Sequence, residues 1–106
     1  MPRKRGRGSK AERHVEKLYR KAGYRVRRNV RSRVGEIDII AKRGNQKLVI
    51  EVKRGKQTIT SSTLKKLLRK ARYHDGKPVL RHSPRSRLTS RARELAKKHK
   101  VNIRPY

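Results

Sequence analysis

The sequence contains no cysteine, only seven acidic residues and no long apolar run. The missing cysteines exclude disulfides and thiolate metal sites. No stretch approaches the roughly 20 apolar residues of a membrane span, so no membrane partner is expected. The N-terminus is basic but lacks the apolar segment of a secretory signal, and the default expectation is a cytoplasmic protein. Hydrophobic residues fill only 31% of the 106 positions. The core of such a single domain must be small.

Positive charge fills much of the remainder. Lys and Arg number 35, and the formal net charge is +28. A compact chain of this charge repels itself. A polyanion relieves the repulsion, and counterion release from phosphates gives strong, salt-dependent affinity for nucleic acid. Composition alone favours a non-catalytic binder of ribosomal type. The scarce acidic residues point elsewhere.

Residues 1–8 carry four cations, two glycines and no large apolar side chain after Met1. They predict a disordered basic tail ahead of a single domain over residues 9–106. Ser9-Lys10-Ala11-Glu12 has the form of a capping box. Ala11, Val15, Leu18, Tyr19 and Ala22 follow at helical spacing, and Gly23 supplies a stop. Tyr24–Arg28 alternates as a strand, and residues 29–35 read as a loop. Ile37–Ala41 and Leu48–Val52 are the most apolar runs and are rich in β-branched residues. Gly44-Asn45 between them is a hairpin turn pair. Leu64, Leu67, Leu68 and Ala71 predict a helix near 62–73. Leu88, Ala92, Leu95 and Ala96 predict another near 86–99. Val79-Leu80 and Val101–Ile103 read as short strands, either core or a surface for a second subunit. The order is α-β-β-β-α-β-α-β, an α/β fold with a central mixed sheet flanked by helices.

Two of the seven acids interrupt the two most apolar strands. A two-residue turn at Gly44-Asn45 sets Asp38 directly opposite Glu51, with Cβ atoms roughly 4.5–5.5 Å apart. Two carboxylates held that close repel, so either one takes a proton or a cation lies between them. A hard divalent ion, Mg2+ with Mn2+ as a substitute, resolves the conflict. Lys53 follows Glu51 by two and projects from the same strand face. Such a lysine can hold an attacking water or neutralise charge developing on a phosphate. Asp38, Glu51 and Lys53 are therefore candidate catalytic residues for phosphodiester hydrolysis. The same register sets Glu36 opposite Lys53, and a ladder of ordinary salt bridges accounts for the pattern equally well.

Gly35-Glu36-Ile37-Asp38-Ile39-Ile40-Ala41, followed by Val49-Ile50-Glu51-Val52-Lys53, resembles the PD-(D/E)XK nuclease superfamily, the restriction-endonuclease-like fold. Ile37 stands where the superfamily's name has proline. Gly8-Ser9-Lys10-Ala11-Glu12-Arg13, with Gly23-Tyr24-Arg25-Val26, is similar to archaeal Holliday junction resolvases. The stretch from Asn29 to Lys53 also resembles a family of small bacterial nuclease-like proteins. The resemblance covers residues 8–56. It implies a Mg2+-dependent endonuclease acting on DNA, with a four-way junction as the leading substrate and a homodimer as the working form. A repair nuclease acting on flaps, ends or damaged duplex is the other catalytic reading. By the same resemblance Glu12 joins the site as a catalytic and metal-binding residue, although it is also the capping-box glutamate. Ser32 occupies the loop where resolvases carry a functional serine, although most loop serines bond local backbone. Arg3, Lys4, Arg5 and Arg7 of the tail, with Arg13, Arg33, Arg54 and Lys56, are the candidate phosphate contacts. His14, His74, His82 and His99 share no metal-binding spacing, and zinc is not expected.

Overall fold

A computed structural model describes the backbone of residues 2–106 and the side chains of residues 10–106. Helix α1 spans Pro2–Lys21. Strands β1 (Arg25–Ser32), β2 (Gly35–Arg43) and β3 (Gln46–Lys53) follow, then the short β4 (Thr58–Ile59) and helix α2 (Ser61–Tyr73). Strand β5 (Lys77–His82), the short β6 (Arg87–Leu88), helix α3 (Ser90–Lys98) and β7 (Asn102–Pro105) complete the chain. Five strands form one sheet in the order β1-β2-β3-β5-β7. The first three are antiparallel, whereas β5 and β7 join in parallel. This is the mixed α/β sheet that the strand pattern predicts.

Four local expectations change. α1 starts at Pro2 rather than Ser9. Proline suits a first helical position because its missing N–H would be unpaired there anyway. The helix thus runs into the segment expected as a tail. The side chains of Arg3, Lys4, Arg5, Arg7 and Ser9 lie outside the described residues. The stretch expected as a loop over 29–35 is a hairpin instead, with β1 paired to β2 as far as Ser32 and Gly35. Backbone pairing does not depend on side-chain polarity, so this polar stretch concealed it. α3 starts at Ser90, because Thr89 caps it by accepting from Ala92 N at 3.1 Å. Leu88 therefore belongs to β6, which pairs with β4 in a separate two-stranded sheet.

Two apolar clusters cover the two faces of the main sheet. On one side α1 contributes Val15, which packs with Val26, Ile39, Ala41, Leu48, Ile50 and Val79. On the other side α2 and α3 contribute Leu64, Leu67, Ala71, Ala92 and Ala96, which pack with Ile37, Ile40, Val49 and Leu80. Side chains two apart on a strand share a face. Ile39 and Ala41 obey this rule on the α1 side. Ile37 breaks it by packing on the α2 side. β1 breaks it too, since Val26 faces α1 and Val30 packs toward α2. The break falls at one place. The β1–β2 register passes from Arg28↔Ile39 to Val30↔Ile37 and skips Asn29 and Asp38. Asn29 has a left-handed backbone with φ of 53°. Asparagine tolerates that region better than β-branched residues do.

Candidate active site

The β2–β3 hairpin has the predicted register, from Arg43↔Gln46 to Ile39↔Ile50. Gly44 at φ 60° opens its two-residue turn, the position where the mirror-image hairpin turn needs glycine. The ladder stops one pair short of Asp38 and Glu51. Asp38 instead turns its carboxylate across the gap, and Oδ2 accepts from Val52 N at 2.9 Å. The side chain takes over a hydrogen bond that a strand carbonyl would otherwise make.

Glu51 lies between two lysines. Lys53 Nζ is 3.5 Å from Oε2, and Lys70 Nζ on α2 is 3.8 Å from Oε1. Lys70 also donates to the Glu36 carbonyl at 2.8 Å, which ties α2 to the start of β2. The Glu36–Lys53 salt bridge is not formed, because Lys53 turns to Glu51 instead. Burial and the Glu51 charge push the Asp38 carboxyl up from 3.8 to about 7, while the Val52 amide and Lys70 oppose the rise. Burial also raises the Glu12 carboxyl; Arg28 opposes this, while Glu36 and Glu51 add to it. Glu12 therefore senses the same negative cluster from the α1 side. Asn29 stands between α1 and β2. With its amide nitrogen as donor, it bridges Glu12 Oε1 and Glu36 Oε2 at 3.3 Å each.

Among the described residues, no three Asp, Glu or His side chains converge on one point. Asp38 and Glu51 meet, whereas α1 holds Glu12 beyond Asn29, so the three carboxylates do not form a ready-made cage. Ser32 Oγ donates to Gly35 O at 3.0 Å and closes the β1–β2 turn, the local backbone role open to any loop serine. Arg13, Arg33, Arg54 and Lys56 are all exposed. Sequence reasoning missed Lys70 and Asn29. A helix-face lysine two turns beyond Leu64 carries no signal of its own among 35 cations.

Chemically, the site offers two apposed carboxylates, one driven towards its proton, beside a lysine on the same strand and exposed cations. A divalent cation fits this donor set. It would relieve the carboxylate repulsion, and only oxygen ligands are offered.

The sequence matches the restriction endonuclease family Mrr_cat over residues 4–104. Comparison with curated protein sequences found no match. Solved structures share the fold, three of them as follows. A protein of unknown function, AF1548, superposes with a TM-score of 0.71 at 16% identity, covering 89% of this chain and 55% of that one. A repair endonuclease from Pyrococcus abyssi gives 0.65 at 15% identity, covering 78% of this chain and 38% of that one. The Holliday junction resolvase Hjc from Archaeoglobus fulgidus gives 0.57 at 25% identity, covering 79% of this chain and 66% of that one.

Proposed function

Because the chain belongs to the restriction endonuclease family Mrr_cat, we propose that it is a divalent-cation-dependent endonuclease that hydrolyses DNA phosphodiesters, with branched DNA as its substrate. The observation that carries this reading is the Asp38–Glu51 pair, in which burial and like charge raise the Asp38 carboxyl to about 7. Structural carboxylates in so basic a protein have arginines available to pair with. Asp38 pairs with a backbone amide and faces a second acid instead.

Asp38 and Glu51 would hold Mg2+, or Mn2+ in its place, with Glu12 alongside. The bound ion supplies Lewis acidity at the scissile phosphate and a more acidic water. Lys53 offers its ammonium group to the attacking water or to charge growing on the phosphate oxygens. Lys70 orients the Glu51 carboxylate by pairing with its other oxygen. Asn29 bridges Glu12 and Glu36 by donating to both carboxylates. Arg13, Arg33, Arg54 and Lys56 would grip the phosphate backbone, as would the cations of the first eight residues.

A four-way junction is the leading substrate, supported by the 25% identity to a Holliday junction resolvase. Resolution needs two paired cuts, and one domain carries one site, so a twofold homodimer would supply the second. Val79, Leu80 and Val101 belong to the core and are not its surface. A repair nuclease acting on flaps, ends or damaged duplex is the second reading, favoured by the likeness to the Pyrococcus repair endonuclease. Among the described residues no helix is long and apolar enough to cross a membrane.

The test is incubation with labelled duplex, single strand, flap and four-way junction, with Mg2+ and with EDTA. Symmetric nicks on the junction, abolished by EDTA, are expected. Binding without any cut under either condition would identify a non-catalytic nucleic-acid binder instead.

A further inference from the structure

The two faces of the main sheet are covered unequally. α2 and α3 cover one face. α1 rests on β1, β2 and β3 of the other. Beside α1, over β5 and β7, a groove of about 470 Å³ stays open. Tyr19, Tyr24, Lys77, Arg81, Lys100 and Arg104 are among the residues that line it, and no acidic residue does. Lys77, Lys100 and Arg104 are exposed. Arg81 Nε is buried and has no hydrogen-bond partner among the described residues.

The groove opens away from Glu51. Glu51 pairs with Leu80, which packs under α2, whereas Val52 pairs with Arg81 and packs on the α1 side. Paired residues share a face, and adjacent residues on a strand oppose each other. Arg81 in turn pairs with Arg104. Arg81 and Arg104 therefore lie on the sheet face opposite Glu51 and Lys70.

We propose that this groove binds the phosphate backbone of a second DNA segment, one that is not being cut. The inference rests on the endonuclease reading for the presence of DNA and adds a site that reading does not use. Charge selects the occupant. Four cations without an acid call for an anion, and a second copy of a chain carrying +28 would bring like charge to like. Backbone is favoured over bases because guanidinium groups already cover both tyrosine rings. Arg81 Cζ lies 5.5 Å from the Tyr19 centroid, and Arg43 Cζ lies 4.3 Å from that of Tyr24. A straight duplex engaged at the carboxylates leaves the opposite face empty. A branched substrate has another arm to lay there.

The experiment measures binding by fluorescence anisotropy in EDTA, with wild type, Arg81→Glu/Arg104→Glu and the milder Arg81→Gln/Arg104→Gln. The probes are a four-way junction and a linear duplex of equal length. The reversal variant should bind the junction at least tenfold more weakly and the duplex less than threefold more weakly. Its salt slope on the junction should be shallower by about 1.8, from two lost phosphate contacts at about 0.9 each. Equal losses on both DNAs, or an unchanged junction affinity, would overturn the proposal. If charge reversal unfolds the protein, the glutamine pair and lysine acetylation of wild type decide. Lys77 and Lys100 should be protected by the junction and not by the duplex. Protection by polyglutamate as strong as that by the junction would assign the groove to an acidic protein and overturn it as well. None of these readouts needs cleavage. An Asp38→Asn protein that still cuts would remove the proposed active site and leave the groove result standing.

Discussion

The two ends of the β2–β3 hairpin are built from similar residues and behave differently. At the turn end, Ile39 to Arg43 pair with Gln46 to Ile50 in an unbroken ladder, and side chains alternate strictly between the two cores. At the open end the ladder stops, facing resets between Ile37 and Ile39, and a carboxylate takes the place of a backbone acceptor. Regular pairing satisfies every backbone group and leaves no polar atom to spare. Chemistry needs spare polar atoms, and here they arise where two adjacent strands give up one pair together. The reset also brings residues of both layers to one place, Glu12 from α1 and Lys70 from α2.

The largest expected contrast between the ends is catalytic. Asp38→Asn or Glu51→Gln should lower the Mg2+-dependent cleavage rate by about 10²–10³-fold or more, with DNA affinity unchanged or tighter. Lys42→Gln, near the turn end, should leave the rate within about twofold, consistent with a lost surface charge. Full activity in both carboxylate variants would show the open end to be merely structural.

The turn end should instead answer in stability. Ile50→Ala opens a cavity in the fully buried α1-side core. It should cost about 2–5 kcal/mol in denaturant unfolding, while cleavage per folded molecule stays near wild type. An equal loss of specific activity would mean that the two ends are not separable.

Asn29 sharpens the comparison further. Asn29→Val forces a β-branched residue into φ of 53° and removes the amide bridge. A destabilisation of about 1–3 kcal/mol is expected. Asn29→Gly relieves the backbone but not the bridge, so it should recover stability and not the full cleavage rate. Recovery of both by glycine would reduce Asn29 to a backbone role.

The smallest effect is on pH dependence without metal. Folded Asp38 titrates near 7 against 3.8 in the unfolded chain. Between those values the folded state holds the extra proton, so in EDTA this group makes stability fall as pH rises from about 4 to 7. Asp38→Asn should remove that slope and stabilise the metal-free protein at pH 8. Added Mg2+ should raise the melting temperature of wild type at pH 8 and not that of the variant. Melting curves at pH 5 and 8 with matching slopes for both proteins would contradict it.

The hairpin was legible because its signals are local. Two β-branched runs and a Gly-Asn pair determine the strands, turn and register within 16 residues, and two acids in apolar surroundings stand out where acids are rare. Lys70 was not legible, since its approach to Glu51 depends on how α2 packs, 34 residues from the Glu36 carbonyl it bonds. Asn29 was hidden in a polar stretch that reads as loop, because backbone pairing there leaves no trace in hydrophobicity. The two-residue strands β4 and β6 are too short for any periodicity.

The mixed direction of the sheet has a consequence for the order in which the protein forms. Glu12, Asn29, Asp38, Glu51 and Lys53 all precede the first parallel pairing, and their strands join through short, sequence-local hairpins. Local contacts form quickly, whereas the parallel addition of β5 and β7 must wait for α2 and α3 to cross the sheet. During synthesis the half that carries the site carboxylates can therefore assemble while the rest of the chain is still emerging, with Lys70 and the opposite-face cations arriving last. A truncated or stalled chain would carry the carboxylates with Lys53 but without Lys70, and late closure of the parallel half would complete the proposed site.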